Sequence, residues 1–185
     1  MIGIIHCGSS WFEDIKKRVA ELNKPYKVIM LNEIKDCDFE LFSGIIISGA
    51  PTLLTKVDLK KYLDPFKFIK TVNIPILGIC LGHQIIGLLY GAEIHHGKMI
   101  DKKEKIEIVK EDKLFLDVKN NALFRQAHQE FVDLPQEFCL LAKSETCNNV
   151  AMKHKNKKIY GTQFHPEVSG NSGKKLFRNF LNMCS

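Results

Sequence analysis

The chain has 185 residues, 45% hydrophobic and 26% charged, with a formal charge of +6. That length supports one substantial core rather than two full domains, so residues 1–185 are expected to form one globular domain. No stretch approaches the roughly 20 consecutive apolar residues that span a bilayer, and Met1-Ile2-Gly3-Ile4-Ile5-His6 lacks the basic and long apolar regions of a secretion signal, so the expectation is a soluble, cytoplasmic protein with no membrane partner.

Ile2 to His6, Lys27 to Leu31, Gly44 to Ser48 and Pro75 to Ile79 read as strands. Trp11 to Asn23, opened by Ser9 or Ser10, carries Ile15, Val19 and Leu22 on one helical face. Asp58 to Lys70 also reads as helix, with Pro65 expected to break or kink it. Strands alternating with helices predict a parallel sheet covered on both faces. The chain then changes character. Lys105 to Val109, Ala122 to Gln126, Phe138 to Ala142, Val150 to Lys153 and Ile159 to Phe164 read as strands joined by short turns, which favours antiparallel hairpins added to the sheet. A last helix from Ser172 spaces Leu176, Phe177, Phe180, Leu181 and Cys184 to pack on the core. The fold class is α/β: an open, mostly parallel sheet flanked by helices, with an antiparallel hairpin region.

Cys7, Cys37, Cys80, Cys139, Cys147 and Cys184 form no C-x-x-C pair, and a core-rich chain of this size needs no stapling, so reduced thiols are expected. The lysine runs at Lys102-Lys103-Glu104-Lys105 and Lys153-His154-Lys155-Asn156-Lys157-Lys158 lack interleaved aromatics, which favours a solvated face or a docking surface over a nucleic-acid partner. No metal site is expected: His95-His96 has no further ligands at useful spacing along the chain, and His6-Cys7 stands alone.

One of the cysteines has a special context. Gly78-Ile79-Cys80-Leu81-Gly82 follows a strand, precedes the apolar helix Ile85 to Tyr90, and has the G-x-nucleophile-x-G form of a nucleophile elbow. A side chain at the tip of so sharp a turn needs strained dihedrals, and neighbouring segments pass too close for larger residues at the glycines. The turn also sets Cys80 at a helix N-terminus, where free N–H groups and the positive dipole end favour thiolate. The plain alternative is a buried apolar cysteine ending a strand. Against it stands Phe164-His165-Pro166-Glu167 at the end of the last expected strand. A thiol nucleophile needs an imidazole to take up and return a proton, and the imidazole needs a third group to fix its tautomer. Residues two apart in extended chain point the same way, and Pro166 fixes the backbone between them, so Glu167 can brace His165.

Gly78-Ile79-Cys80-Leu81-Gly82-His83-Gln84 together with Phe164-His165-Pro166-Glu167 resembles the class I glutamine amidotransferases, over essentially the whole chain. The resemblance implies that Cys80 attacks the side-chain amide of L-glutamine, His165 acts as base and then acid, and Glu167 orients His165. It implies an oxyanion hole from Leu81 N–H and from Ser48-Gly49-Ala50-Pro51, similar to the family's Ser-Gly-Gly-Pro loop, with Gly49 and Ala50 as its residues. Ala50 replaces the usual glycine, which alanine can do only if no positive φ is required. Gln84 resembles a substrate-contacting glutamine; its alternative is an ordinary polar residue of the first helical turn. Arg125-Gln126-Ala127-His128-Gln129-Glu130 is similar to a Ser-His-x-Asp-like substrate segment, implying contacts from Gln126, Ala127 and His128, although Ala127 and Glu130 depart from it.

Within the family, Ala142 to Cys147 and Ala151 to Glu167 are most similar to the separately encoded glutaminase subunit of GMP synthase. The resemblance implies no cofactor for the glutaminase. It places ATP and Mg2+ on a separate ATP-pyrophosphatase (synthetase) subunit that adenylates xanthosine monophosphate. His6-Cys7-Gly8-Ser9-Ser10-Trp11 departs from the Asp-Asn-Gly-Gly-Gln opening of those glutaminases. A divergent paralogue serving another acceptor and a non-catalytic binding subunit therefore stay open. A PfpI-like cysteine protein would also use an elbow, but His165-Pro166-Glu167 speaks against it.

Overall fold

A computed structural model describes residues 1–184. The chain contains strands β1 (Ile2–His6), β2 (Tyr26–Met30), β3 (Gly44–Ile47), β4 (Ile76–Ile79), β5 (Ile94–Ile108), β6 (Leu123–Val132), β7 (Phe138–Ser144), β8 (Ala151–His154) and β9 (Ile159–Thr162), with helices α1 (Phe12–Ala20), α2 (Leu59–Leu63) and α3 (Leu81–Leu89) following β1, β3 and β4, and α4 (Gly170–Asn182) after the last strand. They form one nine-stranded sheet in the order β2-β1-β3-β4-β9-β8-β7-β5-β6. The five strands from β2 to β9 pair in parallel, and those from β9 to β6 pair antiparallel. This is the expected α/β class with its added hairpin region.

The parallel strands are apolar on both sides because both sides are covered. Ile2 and Ile4 of β1, Ile46 of β3 and Leu77 and Ile79 of β4 pack with Phe12, Ile15 and Val19 of α1 and Leu176, Phe177 and Phe180 of α4. Ile5, Ile45, Ile47 and Ile76 pack on the opposite face with Leu81, Ile85 and Ile86 of α3 and with Phe66 and Ile69. Most of these side chains are fully buried, each worth on the order of 2–3 kcal/mol relative to exposure.

Three local expectations change. The helix expected over Asp58 to Lys70 is the short α2 followed by a 3-10 segment, Asp64–Lys70, because Pro65 cannot continue the α pattern. β5 begins at Ile94, well before Lys105, and pairs along most of β6; its alternation is masked by charge on both faces of its exposed middle stretch and by a register shift between His96 and Ile100. Neither Ser9 nor Ser10 caps α1. The N-cap is Trp11, whose N–H donates to Ser9 Oγ at 3.1 Å, so the serine stabilises the approach to the helix and the cap position carries an indole.

The glycines of the elbow are sterically required. A methyl group at Gly78 would lie 2.5 Å from the backbone of Gly82, and one at Gly82 would lie 2.5 Å from the Ile47 carbonyl oxygen. Backbone atoms in the middle of a sheet cannot retreat. Gly82→Ala is therefore expected to destabilise the fold by about 2 kcal/mol or more. Urea denaturation measures this directly, and an unchanged midpoint would mean that α3 can slide away from β3.

Candidate active site

β4 and β9 are neighbours in parallel, with Ile79 opposite Thr162, and the Cys80 N–H donates to the Thr162 carbonyl at 2.7 Å. The chain segments leaving these two strands must then emerge side by side, at the carboxyl edge where open α/β sheets build their sites. Cys80 is the N-cap of α3 and holds φ 51°, ψ −101°, a left-handed conformation that costs a non-glycine residue on the order of 1–2 kcal/mol. Leu81 occupies the first position of α3, where the N–H has no intrahelical acceptor.

His165 leaves β9 toward the same point. Its Nδ1 lies 2.7 Å from Glu167 Oε1, and both residues are buried. The His165 N–H donates to the Arg125 carbonyl of β6 at 2.8 Å, and the Ser169 hydroxyl donates to the His165 carbonyl. A methyl at Gly49, after β3, would sit 3.0 Å from His165 Cε1 and 3.4 Å from Cys80 Cβ, so the two side chains converge on the face of this glycine. Burial disfavours a charged His165 ring, but the Glu167 carboxylate and the adjoining Cys80 sulfur outweigh it and raise the pKa to about 10.

Cys80 opens on a cavity of about 210 Å³ lined on one side by Ala50 to Leu53 and on the other by Ala127 to Glu130, with Gln84 and Met99 completing it. The structure thus brings together Cys80, Ala50, Gln84, Ala127 and His128. Ala50 is absent from the residues at positive φ, which removes the objection to alanine there. Cys80 Sγ lies 3.7 Å from the Ala127 carbonyl. The Gln84 amide nitrogen donates to the Glu130 carbonyl (2.7 Å) and to Gln163 Oε1 (3.2 Å), which leaves its oxygen for any ligand. Gln126 lies outside the cavity lining. It is fully buried on the same inward face of β6 as His128, one pleat farther from the cavity, and its amide finds no partner among the described residues.

Two residues here were not expected from sequence. The buried Gln163 places Nε2 3.6 Å from Cys80 Sγ. The strand ends at Thr162 and the chain bends at Gln163 and Phe164, so nearness to His165 in sequence was the only signal. Glu130 spans the cavity's two walls: its carboxylate accepts from Leu54 N–H (2.6 Å), Thr55 N–H (3.1 Å) and the Thr55 hydroxyl. Farther off, His95 Nε2 lies 2.8 Å from Asp133 Oδ2, and Glu93 is close to both, a grouping that spacing along the chain does not reveal.

An α/β sheet carrying a strained cysteine near a carboxylate-braced histidine at its carboxyl edge has the build of an enzyme site. The chain belongs to the class I glutamine amidotransferase family, whose model matches residues 3–184. It is similar to the glutamine-hydrolyzing GMP synthase subunit of Pyrococcus abyssi, 36% identical over all of this chain and 98% of that protein. It is also similar to the corresponding subunit of Methanosarcina barkeri, 37% identical over 92% of this chain and 89% of that one. Among solved structures it resembles a Thermoplasma acidophilum protein provisionally assigned as a GMP synthase subunit, with a TM-score of 0.90 and 30% identity over 99% of this chain and 92% of that one.

Two buried imidazoles are held neutral here, His128 in the cavity wall and His83 outside the lining. Burial, reinforced by the charge of His128, pushes His83 down to about 3; its ring lies against the backbone of Gly161 and Asn149 without a well-aligned hydrogen bond to either. Burial, with the charge of His165, pushes His128 down to about 4 despite its contact with the Glu130 carbonyl. Below the ordinary histidine value of 6.5 the unfolded rings take up protons that the folded rings refuse, so stability falls as pH drops from about 6.5 toward 4. Each ring adds a slope of up to about 1.4 kcal/mol per pH unit. His165 works in the other direction, since its stabilisation is complete below 6.5 and is lost as pH rises toward 10. Urea midpoints measured across pH are expected to peak near neutrality, with a shallower acid limb in His83→Asn.

Proposed function

We propose that this amidotransferase hydrolyses L-glutamine to glutamate and ammonia through Cys80, His165 and Glu167, and passes the ammonia to a separate synthetase subunit that converts XMP to GMP. One observation carries the reading: the strained Cys80 opens on the cavity while a Glu167-braced His165 converges on it at Gly49. The cavity volume of about 210 Å³ suits a ligand of amino-acid size; drug-sized ligands take roughly 300–1,000 Å³.

In this reading the Cys80 thiolate attacks the side-chain carbonyl carbon while His165 holds the proton. The oxyanion is met by Leu81 N–H and by the backbone N–H groups of Gly49 and Ala50, each donor worth about 3 kcal/mol of barrier. His165 then protonates the departing nitrogen, ammonia leaves, and a glutamyl thioester remains on Cys80. Water, deprotonated by His165, attacks the thioester and releases glutamate and the thiolate. The Gln163 amide donates to the sulfur when it is charged, and the Gln84 oxygen and the β6 backbone at Ala127 and His128 hold the substrate.

This half of the reaction uses no cofactor, because thiolate, imidazole and N–H donors supply what it needs. ATP and Mg2+ belong to the synthetase, an ATP-pyrophosphatase that activates XMP. The similarity to glutamine-hydrolyzing GMP synthase subunits over nearly the full length of both chains supports this choice of acceptor. Six free cysteines fit a reducing cytoplasm. Cys80→Ala is expected to abolish glutamate release, and His165→Gln to lower it by roughly a thousandfold or more. The decisive assay is glutamine-dependent GMP synthesis with the synthetase subunit from the same cell. Ammonia-dependent synthesis that this chain fails to stimulate would remove the GMP assignment, and no glutamate release with or without the synthetase would make the chain a binding subunit.

A further inference from the structure

Trp11 neither lines the cavity nor belongs to the Cys80, His165, Glu167 set, yet its indole packs on the proposed base. The ring centroids of Trp11 and His165 lie 4.6 Å apart at 73°, an edge-to-face contact. The indole is itself held from three sides. Its backbone is fixed as the N-cap of α1, with its N–H on Ser9 Oγ at 3.1 Å and its carbonyl accepting from Ile15 N–H at 3.2 Å. The Arg125 guanidinium lies 5.8 Å above the ring and is paired with Asp101. The same helix reaches the triad segment again through Arg18, whose Nε donates to the Glu167 carbonyl at 3.1 Å.

We propose that Trp11 is a positioning residue for glutamine hydrolysis that presents its indole face to the edge of the His165 ring, holding that ring in its working orientation and favouring its protonated form. The inference rests on the reading of His165 as base and acid. The ring must carry a proton from formation of the thiolate until ammonia departs, so whatever favours imidazolium stabilises the loaded state. An indole is the aromatic partner best suited to a cation, and a buried contact of this kind is stronger than an exposed one. The other groups bearing on His165 are accounted for. Glu167 braces Nδ1, Cys80 faces the ring from the elbow, and His128 of β6 is held neutral by burial. Arg18 bonds the Glu167 backbone rather than the ring, and Arg125 of β6 touches the ring only through Trp11 and its own carbonyl. Two charges thus favour the proton, and the indole adds to that side while blocking one direction of ring rotation.

Trp11 is the single tryptophan of the sequence, so intrinsic indole emission reports this contact alone. A protonated imidazole quenches indole emission and a neutral one quenches far less. Wild-type emission is therefore expected to rise in one step as pH is raised through deprotonation of His165, and the step is expected to vanish in His165→Gln. In kinetics, Trp11→Leu is expected to lower kcat roughly tenfold while KM changes less than about threefold. Its basic limb in the pH profile of kcat/KM is expected to fall by about half a pH unit to one. Trp11→Phe, which keeps an aromatic face, is expected to restore most of the rate and of the limb. An unmoved basic limb in folded Trp11→Leu and Trp11→Phe, or an emission step that survives in His165→Gln, would overturn the proposal while leaving glutamine hydrolysis intact. A wild-type chain with no Cys80-dependent glutamate release would instead remove the parent reading, and this inference with it. Should Trp11→Leu not fold, the wild-type emission titration and the Trp11→Phe limb decide alone.

Discussion

The parallel pairing of β4 with β9 is the constraint from which the site follows. With Ile79 opposite Thr162, the chain leaving β4 turns into the Cys80 elbow at the level where the chain leaving β9 turns into His165-Pro166-Glu167. The hydrogen bond from Cys80 N–H to the Thr162 carbonyl locks that level across the strand boundary. A slip of one residue would reverse every side chain of β4 between the two apolar layers, sending Leu77 and Ile79 to the side of α3 and Ile76 to the side of α1 and α4. The register is therefore enforced by the whole core, and the separation of sulfur and imidazole inherits its rigidity. This also explains how a residue at φ 51° persists. A local cost on the order of 1–2 kcal/mol is small beside the burial of Ile45, Ile47, Ile76 and Ile79 around it.

The histidine is built from both ends of the chain. β9 delivers it, β6 fixes its backbone through the Arg125 carbonyl, and α1 covers its ring with Trp11. These supports are far apart in sequence, and they meet one another as well as the histidine: Arg125 lies over the Trp11 ring and Arg18 of α1 bonds the Glu167 carbonyl. Loosening one still leaves the others, but each restrains a different freedom: height along the sheet, backbone direction and ring rotation. The proposed role, in which His165 accepts a proton and returns it to a different atom, needs all three restrained at once.

Much of this was legible from residues alone because sterics impose their own spelling. Gly78 and Gly82 flank Cys80 since a methyl at either would strike backbone, and Glu167 follows His165 by two residues as its brace, although the step between them opens a 3-10 turn, Pro166–Val168, rather than the extended chain expected. Such constraints act over a few residues and so appear as motifs. What was illegible acts across the fold. Gln126 looks like its neighbours Ala127 and His128 in sequence, and only the distance along β6 from the cavity separates them. The extent of β5 was hidden because its middle stretch is exposed and charged on both faces, at Lys98, Asp101, Lys102 and Lys103, a composition that reads as loop. Ser9 next to a helix start reads as its cap, whereas the turn places Trp11 there and uses Ser9 to hold it. The Glu93, His95 and Asp133 grouping depends on the β5–β6 pairing and has no linear trace.

Two of the departures from the family pattern, Ala50 and Glu130, take on a physical sense in this frame. Ala50 sits outside the left-handed region, so a backbone donor there needs no glycine and the methyl group simply becomes part of the cavity wall. Glu130 stands where a shorter acid would be expected, and its longer side chain reaches the amides of Leu54 and Thr55 and the Thr55 hydroxyl. Those acceptor bonds tie the loop after β3 to β6, the two walls between which Cys80 opens. Its carbonyl meanwhile receives the Gln84 amide, which in turn touches Gln163 beside the sulfur. Cavity width and the polar contacts to Cys80 thus depend on one residue. A charge-assisted clasp of this kind is strong where it is buried, and Glu130 is buried. A departure from the family pattern is accordingly what joins the loop carrying the proposed oxyanion donors to the strand facing Cys80.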